Sequence, residues 1–497
     1  MSKKLYITTA IPYVNGEPHI GHAVGYLLAD IWTRYQAQNG HEVRYQVGVD
    51  EHGNKNSMKA EELGVTPQQY VDQAHLPFRH MADMVGAAYT DFIRTTDGHH
   101  KGAVQYIWQK LQPYIYKGTY EGWYCNGCEQ FYTDKEVEQN SGVCPNHQKP
   151  FERISEENYY LRCSDFTEQL REAIANDKMQ IVPEFRKNEI LELIKDGIKD
   201  ISISRPRKSL SWGVSVPGDD SQVMYVWIDA LSNYLTVLGY PDRAEWQEYW
   251  PADVQVVGKD ILRFHAVIWP AMLIGLGLPL PKQILAHGFV NVDGSKISKS
   301  LGNGVDPSQL IQQYGRDAFR YYFSRHIPTQ DDGDFTYEKF ENAYNNELGN
   351  DLGNLVQRVA AMIRRYQSGV IGDEEVGEHD MGPYHEAMQN LQFSNAIDEV
   401  WVSVRALNQY IERVQPWEIA KRRETDTEAE AHLAEVLSHA VATLNQIGDM
   451  LQPFMPEASA AIHATFKDGV VAADAQPLFP KLYLHTPDPR APKSPAA

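Results

Sequence analysis

Four cysteines in 497 residues are too few for a disulfide framework, so the chain reads as one made for a reducing compartment, and a cytoplasmic location is expected. Long apolar runs are missing as well. The richest, AVIWPAMLIGLGLPL (266–280), is broken by proline and glycine and falls short of the roughly 18–20 residues that cross a bilayer. The opening MSKKLYITTA has no apolar core behind its lysines, so neither a signal peptide nor a membrane partner is expected. Positive charge is also in deficit: 46 Lys and Arg against 66 Asp and Glu leave a net −20. That excludes indiscriminate nucleic-acid binding but not a nucleic acid read through local basic surfaces. No internal repeat is present.

What is there is a foldable chain. Forty-two percent apolar residues and abundant aromatics indicate packed cores, and the length calls for two to four domains. KLYITTA (4–10) reads as a buried strand, Val24, Leu27, Leu28, Ile31 and Tyr35 as one face of a helix, and EVRYQVGVD (42–50) as a second strand. Strand, helix, strand in that order is a parallel βαβ unit. Parallel-sheet signals return at QVMYVWIDALSNY (222–234) and DVQVVGKDILRFHAVIWPAML (253–273). A doubly wound α/β sheet, Rossmann-like and interrupted by an insertion, explains this order: 1–112 as its first half, 113–225 as the insertion, 226–280 as its second half. Residues 281–340 are set apart as a contact region around the loop DGSKISKSLGN. From 341 to 475 helical periods dominate (Leu348, Leu352, Leu355, Val356, Val359, Ile363; Val400, Val404, Leu407, Ile411; Leu433, Leu437, Ala440, Leu444, Ile447, Leu451), which predicts an all-α bundle. A Pro/Ala-rich tail occupies 476–497.

Three stretches carry chemistry. In EPHIGHA (17–23), His19 and His22 flank Gly21 where strand gives way to helix. One histidine there reads as a helix cap; two of them three apart around a glycine point instead to a phosphate or nucleotide site at the strand edge and helix start. In WYCNGCEQFYTDKEVEQNSGVCPNHQ, Cys125 and Cys128 form one pair, Cys144 and His147 another, with fifteen residues between. Three thiolates and one imidazole make a closed tetrahedral set for a structural Zn²⁺; Cys163 is an alternative fourth ligand but lacks paired spacing. In DGSKISKSLGN (293–303), Lys296 and Lys299 lie between glycines. Read alone they are a solvated face; the glycines fit a loop that folds over a triphosphate, where lysines stabilise charge that develops in the transition state. GKD (258–260) ends a strand, with Gly258 admitting a nucleotide and Asp260 accepting from ribose hydroxyls.

Together these residues resemble the class I aminoacyl-tRNA synthetases: PHIGH (18–22) and KISKS (296–300) are similar to that class's two signatures. TTAIPYVNGEPHIGH, GVDEHG, the single knuckle, YVWIDALSNY, VVGKDILRFH, VDGSKISKSLGN and NELGNDLGNLVQR, in order, resemble the methionyl-tRNA synthetase family over roughly residues 5–460. Ile297 stands where the family more often has methionine. The resemblance implies ATP-dependent ligation of L-methionine to tRNA(Met) through an adenylate, with Mg²⁺ accompanying ATP. It implies that His19, Gly21, His22, Gly258, Asp260, Lys296, Ser298 and Lys299 contact ATP, with His19, His22, Lys296 and Lys299 catalytic. It assigns Ile11, Tyr13, Trp227, Ala230, Tyr234, Phe264 and His265 to the methionine pocket and Asp50 to the ammonium. Asn354, Arg358 and Trp417 match anticodon-reading positions, with Lys421, Arg422 and Arg423 near the backbone. No editing insertion fits within 113–225, and a monomer is expected, although the missing C-terminal dimerisation module of some members weakens any claim about oligomerisation. A small-molecule nucleotidyltransferase, a non-catalytic RNA-binding homologue and the cysteine-specific sister enzyme are the competing readings; amino-acid-dependent ATP–pyrophosphate exchange separates them.

Overall fold

A computed structural model of the chain describes residues 2–125, 130–145, 148–296, 305–372, 380–473 and 476–482. The chain divides into two compact units. The first comprises Met1–Pro18, Gly40–Asp83 and Ala88–Ala286; the second comprises His19–Asn39, Met84–Ala87 and His287–Ala497.

The first unit is organised by a six-stranded sheet: β1 (Lys4–Thr9), β2 (Glu42–Val49), β3 (Asp91–Arg94), β4 (Gln180–Val182), β5 (Val254–Gly258) and β6 (Gln283–His287), in the spatial order β3-β2-β1-β5-β6-β4. The pairs β3–β2, β2–β1, β1–β5 and β6–β4 run parallel. From β1 the chain winds outward to β2 and β3, then enters the other side at its far edge with β4 and fills the space between with β5 and β6. The strand order therefore reverses between β1 and β5, the crevice where open α/β sheets bind ligands. Leu5 to Thr9 are all buried, the near-continuous burial of a strand covered on both faces. Large aromatics fill the main core, among them Tyr6, Trp108, Tyr234 and Trp269.

Between β3 and β5 the chain builds a four-stranded antiparallel sheet, in the order Gln130–Tyr132, Ile115–Cys125, Glu152–Leu161, Ile201–Ser202, the last of these falling after β4 in sequence. The stretch 222–234 departs from its reading as parallel-sheet sequence. Asp219–Met224 is the middle strand of a separate three-stranded antiparallel ribbon, and helix Val226–Leu231 follows. A short apolar run reports burial, not the direction of its partner.

In the second unit the predicted bundle forms. Ala343–Gly353 and Asn354–Gln367 make one helical run, followed by the helices Phe393–Val414, Ala429–Leu451 and Pro456–Thr465. Leu348, Leu352, Leu355, Val356, Val359 and Ile363 are all buried, as their spacing requires. Helix Ile20–Gln38 clusters with this unit, although it lies between two strands of the first in sequence. The reason is a buried charge: Arg320 and Asp30 are both fully buried and 2.7 Å apart. The same guanidinium also donates to the carbonyls of Val85, Pro453 and Phe454. Removing one member of such a pair strands the other, a loss of about 3–5 kcal/mol. Arg320 thereby fixes the helix that begins at Ile20.

Candidate functional site

The loops at the strand reversal belong to the first unit. Tyr13 bridges to Asp50 in parallel, and the Asp50 N–H donates to Pro12 O at 2.8 Å, so the loop after β1 extends the sheet by one rung. Asp50 is 4% exposed, and Lys55 lies 5.0 Å over the Tyr13 ring. Ile11 is half-buried beside Gly48, where any Cβ would meet Ile93 and Ile11. On the other side of the reversal, Asp260 is exposed and folds back on Gly258. A Cβ there would lie 2.8 Å from its Oδ1, so a larger residue at 258 would displace this carboxylate.

The aromatic residues assigned to the amino-acid pocket come together in pairs. Trp227 and Phe264 stack with centroids 3.6 Å apart and planes 7° from parallel. Tyr234 Oη lies 2.7 Å from His265 Nε2, and His265 Nδ1 lies 3.0 Å from Ile261 O. A carbonyl only accepts, so Nδ1 carries the ring proton and Nε2 accepts from the Tyr234 hydroxyl. Burial pushes His265 down to about 4 against the weaker opposing effect of that carbonyl. The imidazole is therefore neutral and locked in one tautomer. Burial likewise raises the Tyr234 phenol. Ala230 is buried, its carbonyl accepting from Asn233 Nδ2 at 2.6 Å.

His19 and His22 belong to the second unit. His19 is the N-cap of helix Ile20–Gln38. Its Nδ1 accepts from the Gly21 N–H at 3.1 Å, and His22 Nδ1 accepts from the His19 N–H at 3.1 Å. The rings stack at 3.8 Å. Both Nδ1 atoms being acceptors, each ring carries its proton on Nε2, the polarity a phosphate oxygen needs. Capping and phosphate contact use different nitrogens and do not compete. Gly21 permits this: a Cβ at 21 would sit 3.0 Å from the His19 ring. Lys296 ends a short strand, Ser295–Lys296, paired antiparallel with Val290–Val292 across a turn in which Asp293 and Gly294 both have positive φ, the Asp-Gly hairpin turn. Ser298 and Lys299 lie outside the described residues, as do Cys128 and His147. Cys125 and Cys144 are buried together with Val137 and Phe151 in one small cluster of the insertion. Cys163 is buried in the main core instead, where burial raises its thiol pKa.

Farther along the second unit, Asn354 is exposed and Arg358 half-buried, one turn apart on helix Asn354–Gln367. The Arg358 guanidinium pairs with Glu412 at 2.6 Å. Trp417 is half-buried on helix Pro416–Arg422. Of the cations after it, Lys421 pairs with Glu418 at 2.6 Å, and Arg423 donates to Tyr366 O at 2.7 Å.

The sequence reading passed over a buried cluster in the first unit. His52 Nδ1 lies 2.6 Å from Asp229 Oδ2, and His100 Nε2 lies 2.9 Å from Asp229 Oδ1. Burial opposes the charge of Asp229, but His52 and His100 outweigh it and hold the carboxyl well below the usual carboxylate range. The available signal was position: His52 falls inside GVDEHG and Asp229 inside YVWIDALSNY.

The family model described as tRNA synthetases class I (M) matches residues 5–153 and 147–360. The methionine–tRNA ligase of Caldanaerobacter subterraneus subsp. tengcongensis is 42% identical over 471 residues, covering 92% of this chain and 73% of that protein. That of Bacillus subtilis is 42% identical over 476 residues, covering 90% of this chain and 71% of its own. A solved structure of Mycobacterium tuberculosis methionyl-tRNA synthetase in complex with methionyl-adenylate superposes with a TM-score of 0.88 at 33% identity, covering 96% of this chain and 100% of that one. The chain belongs to the class I methionyl-tRNA synthetase family.

Proposed function

We propose that this chain joins L-methionine to tRNA(Met) in two steps. The methionine carboxylate attacks the α-phosphorus of ATP, forming methionyl-adenylate and expelling pyrophosphate. A ribose hydroxyl of the terminal adenosine of tRNA then attacks the carbonyl carbon, releasing AMP. Methionyl-adenylate is the ligand named for the M. tuberculosis enzyme.

The observation that carries the reading is the Trp227–Phe264 stack beside a neutral His265 locked between Ile261 O and Tyr234. A thioether is soft and nearly apolar, and flat aromatic faces with weak polar partners suit it better than charge does. Asp50 supplies the carboxylate for the substrate ammonium, with Ile11, Tyr13 and Ala230 as walls. Gly258 and Asp260 take the nucleoside. His19 and His22 offer Nε2–H donors to the phosphates, and Lys296, Ser298 and Lys299 meet the departing pyrophosphate. Mg²⁺ arriving with ATP shares the triphosphate charge. No covalent enzyme intermediate is required; positioning and electrostatics supply the rate. Trp417 gives an RNA base a stacking platform, and Asn354 and Arg358 give edge contacts, the latter on release from Glu412.

The insertion carries one structural Zn²⁺ on Cys125, Cys128, Cys144 and His147. The burial of Cys125 and Cys144 in one cluster supports this, and a closed thiolate site contributes folding energy rather than catalysis. We propose a cytoplasmic monomer, the location resting on the few cysteines. Among the described residues no helix is long and apolar enough to cross a membrane.

Methionine-dependent exchange of pyrophosphate into ATP, with metal analysis of the same preparation, tests the reading. The expected result is strong exchange with L-methionine, far weaker exchange with leucine or cysteine, and one zinc per chain. Exchange with another amino acid and none with methionine overturns the substrate; a zinc-free active protein overturns the metal.

A further inference from the structure

The cluster around Asp229 takes no part in the reaction as described, yet it lies between two segments that do. Asp229 is two residues from Trp227 and next to Ala230, and His52 is two residues from Asp50. Asp229, His52 and His100 are 1%, 3% and 0% exposed. An ionised carboxylate only accepts, so each of its oxygens takes one ring N–H, from His52 Nδ1 and from His100 Nε2. His100 in turn meets the Thr236 hydroxyl through Nδ1 at 2.7 Å. The loop bearing Asp50 is gripped from its other side by Trp212, whose Nε1–H donates to Glu51 O at 2.7 Å and whose carbonyl accepts from the Gly53 N–H. The Trp212 ring also packs edge-on against His52. A carboxylate this deeply buried is a costly way to hold a helix, because it must be desolvated. Its two fixed acceptors tie one short helix to two other elements at once, which an apolar side chain cannot do with comparable directionality.

We infer that Asp229 is a positioning residue that sets the spacing between the ammonium-binding Asp50 and the thioether-binding wall at Trp227 and Ala230, acting through His52, with His100 and Thr236 fixing its carboxylate. The inference rests on the proposed methionine pocket. Asp229 touches no reacting atom; it determines how both ends of one amino acid are met together, and small errors in such placement are costly.

The conservative variant is informative because of hydrogen-bond polarity. In Asp229→Asn the amide oxygen accepts from His52, and its NH₂ faces His100 Nε2. His100 can then move its proton to Nδ1, since the Thr236 hydroxyl can accept as well as donate. Both contacts survive. In Asp229→Ala both are lost, and in Asp229→Asn/Thr236→Val the proton on Nδ1 has no acceptor.

The experiment measures methionine and ATP KM and kcat for pyrophosphate exchange in the full chain, with thermal unfolding alongside. Asp229→Ala is expected to raise the methionine KM about tenfold or more with the ATP KM within about twofold. Asp229→Asn should restore the methionine KM to near the parent value, and the added Thr236→Val should remove that rescue. If Asp229→Ala does not yield folded protein, the Asn and Asn/Val pair decides alone. Loss of kcat with unchanged methionine KM, or equal damage in Asn and Ala variants, overturns the inference: the first means general destabilisation, the second a need for the charge itself. Failure of the parent chain to exchange with methionine instead overturns the pocket reading.

Discussion

Histidines serve both units, under opposite conditions. In the first unit His265 is buried, its tautomer set by a main-chain carbonyl and its pKa pushed down to about 4 by desolvation. In the second, His19 is exposed and His22 only half-buried; their tautomers are set by amide N–H groups at a helix start. The difference teaches how one side chain can be fitted to the two ligands proposed above. An apolar ligand is met by a ring that must stay uncharged, so the fold buries it and gives its proton to a carbonyl. A phosphate is met by a ring that must present N–H outward, so the backbone occupies the inner nitrogen and leaves the outer one protonated. Burial keeps the first ring uncharged. In both arrangements the main chain decides which nitrogen carries the proton.

The largest expected effect tests the second half of that comparison. His22→Ala should lower the rate of methionyl-adenylate formation by about 10²–10³-fold, the usual cost of removing one donor to a charge that grows in the transition state, with methionine KM nearly unchanged. His22→Asn sharpens the result, since its amide oxygen can still accept from the His19 N–H and keep the cap. Equal loss in both variants assigns the effect to the ring. Full activity in the Asn variant means the histidines only cap the helix, and the comparison breaks.

A smaller effect is expected at the proposed RNA contact of the second unit. Trp417→Ala should lower tRNA charging by about ten- to a hundredfold, in line with the ~1–3 kcal/mol of one base stacked on an aromatic ring, while leaving pyrophosphate exchange normal. Quench-flow charging and exchange on one preparation separate the two half-reactions. Equal losses in both assign Trp417 to bundle packing instead.

Much of this arrangement was legible in the sequence because it is local. The strands at 4–9 and 42–49 and the buried stripe of helix 354–367 follow from spacing alone, and each is present. The placement of His19 at the first helix start is equally a matter of a few residues. What could not be read is what joins residues far apart. Asp30 looks like an ordinary helix carboxylate until Arg320, 290 positions later, is seen beside it in the core. Asp229 resembles any surface acid in YVWIDALSNY, yet two histidines from other elements enclose it. The 222–234 stretch misled for the same reason, since its pairing partner is chosen by topology and not by its own pattern. Polar groups in cores are where periodicity is silent: pattern reports which residues are buried, and only the fold reports what a buried charge is paired with.

The smallest effect concerns Asp317, a charge of the second unit that the fold does not pair well. It is 5% exposed, and one oxygen, Oδ2, accepts from the Ala458 N–H at 2.6 Å. Oδ1 has no hydrogen-bond partner among the described residues. Burial raises its pKa to about 6, against the lowering influence of that N–H and of Arg320. The sign of the pH effect follows. A carboxyl whose pKa is higher in the folded chain than in the unfolded one favours folding at low pH, and that contribution is lost as pH rises from about 4 through about 6. Above pH 6 the folded protein holds an ionised, incompletely satisfied carboxylate. Asp317→Asn keeps an acceptor for the Ala458 N–H and removes the charge at every pH. The variant should unfold at a higher temperature than the parent at pH 8, by about 1 kcal/mol once the weaker hydrogen bond is set against the relieved burial cost. At pH 4.5, where the parent carboxyl is already protonated, the gain should vanish or reverse. Thermal unfolding of both proteins at the two pH values decides it. A gain that is the same at both values, or a loss at pH 8, means that Arg320 and the helix start at Ala458 already stabilise the charge, and that Asp317 is as well served by its surroundings as Asp229 is by its histidines.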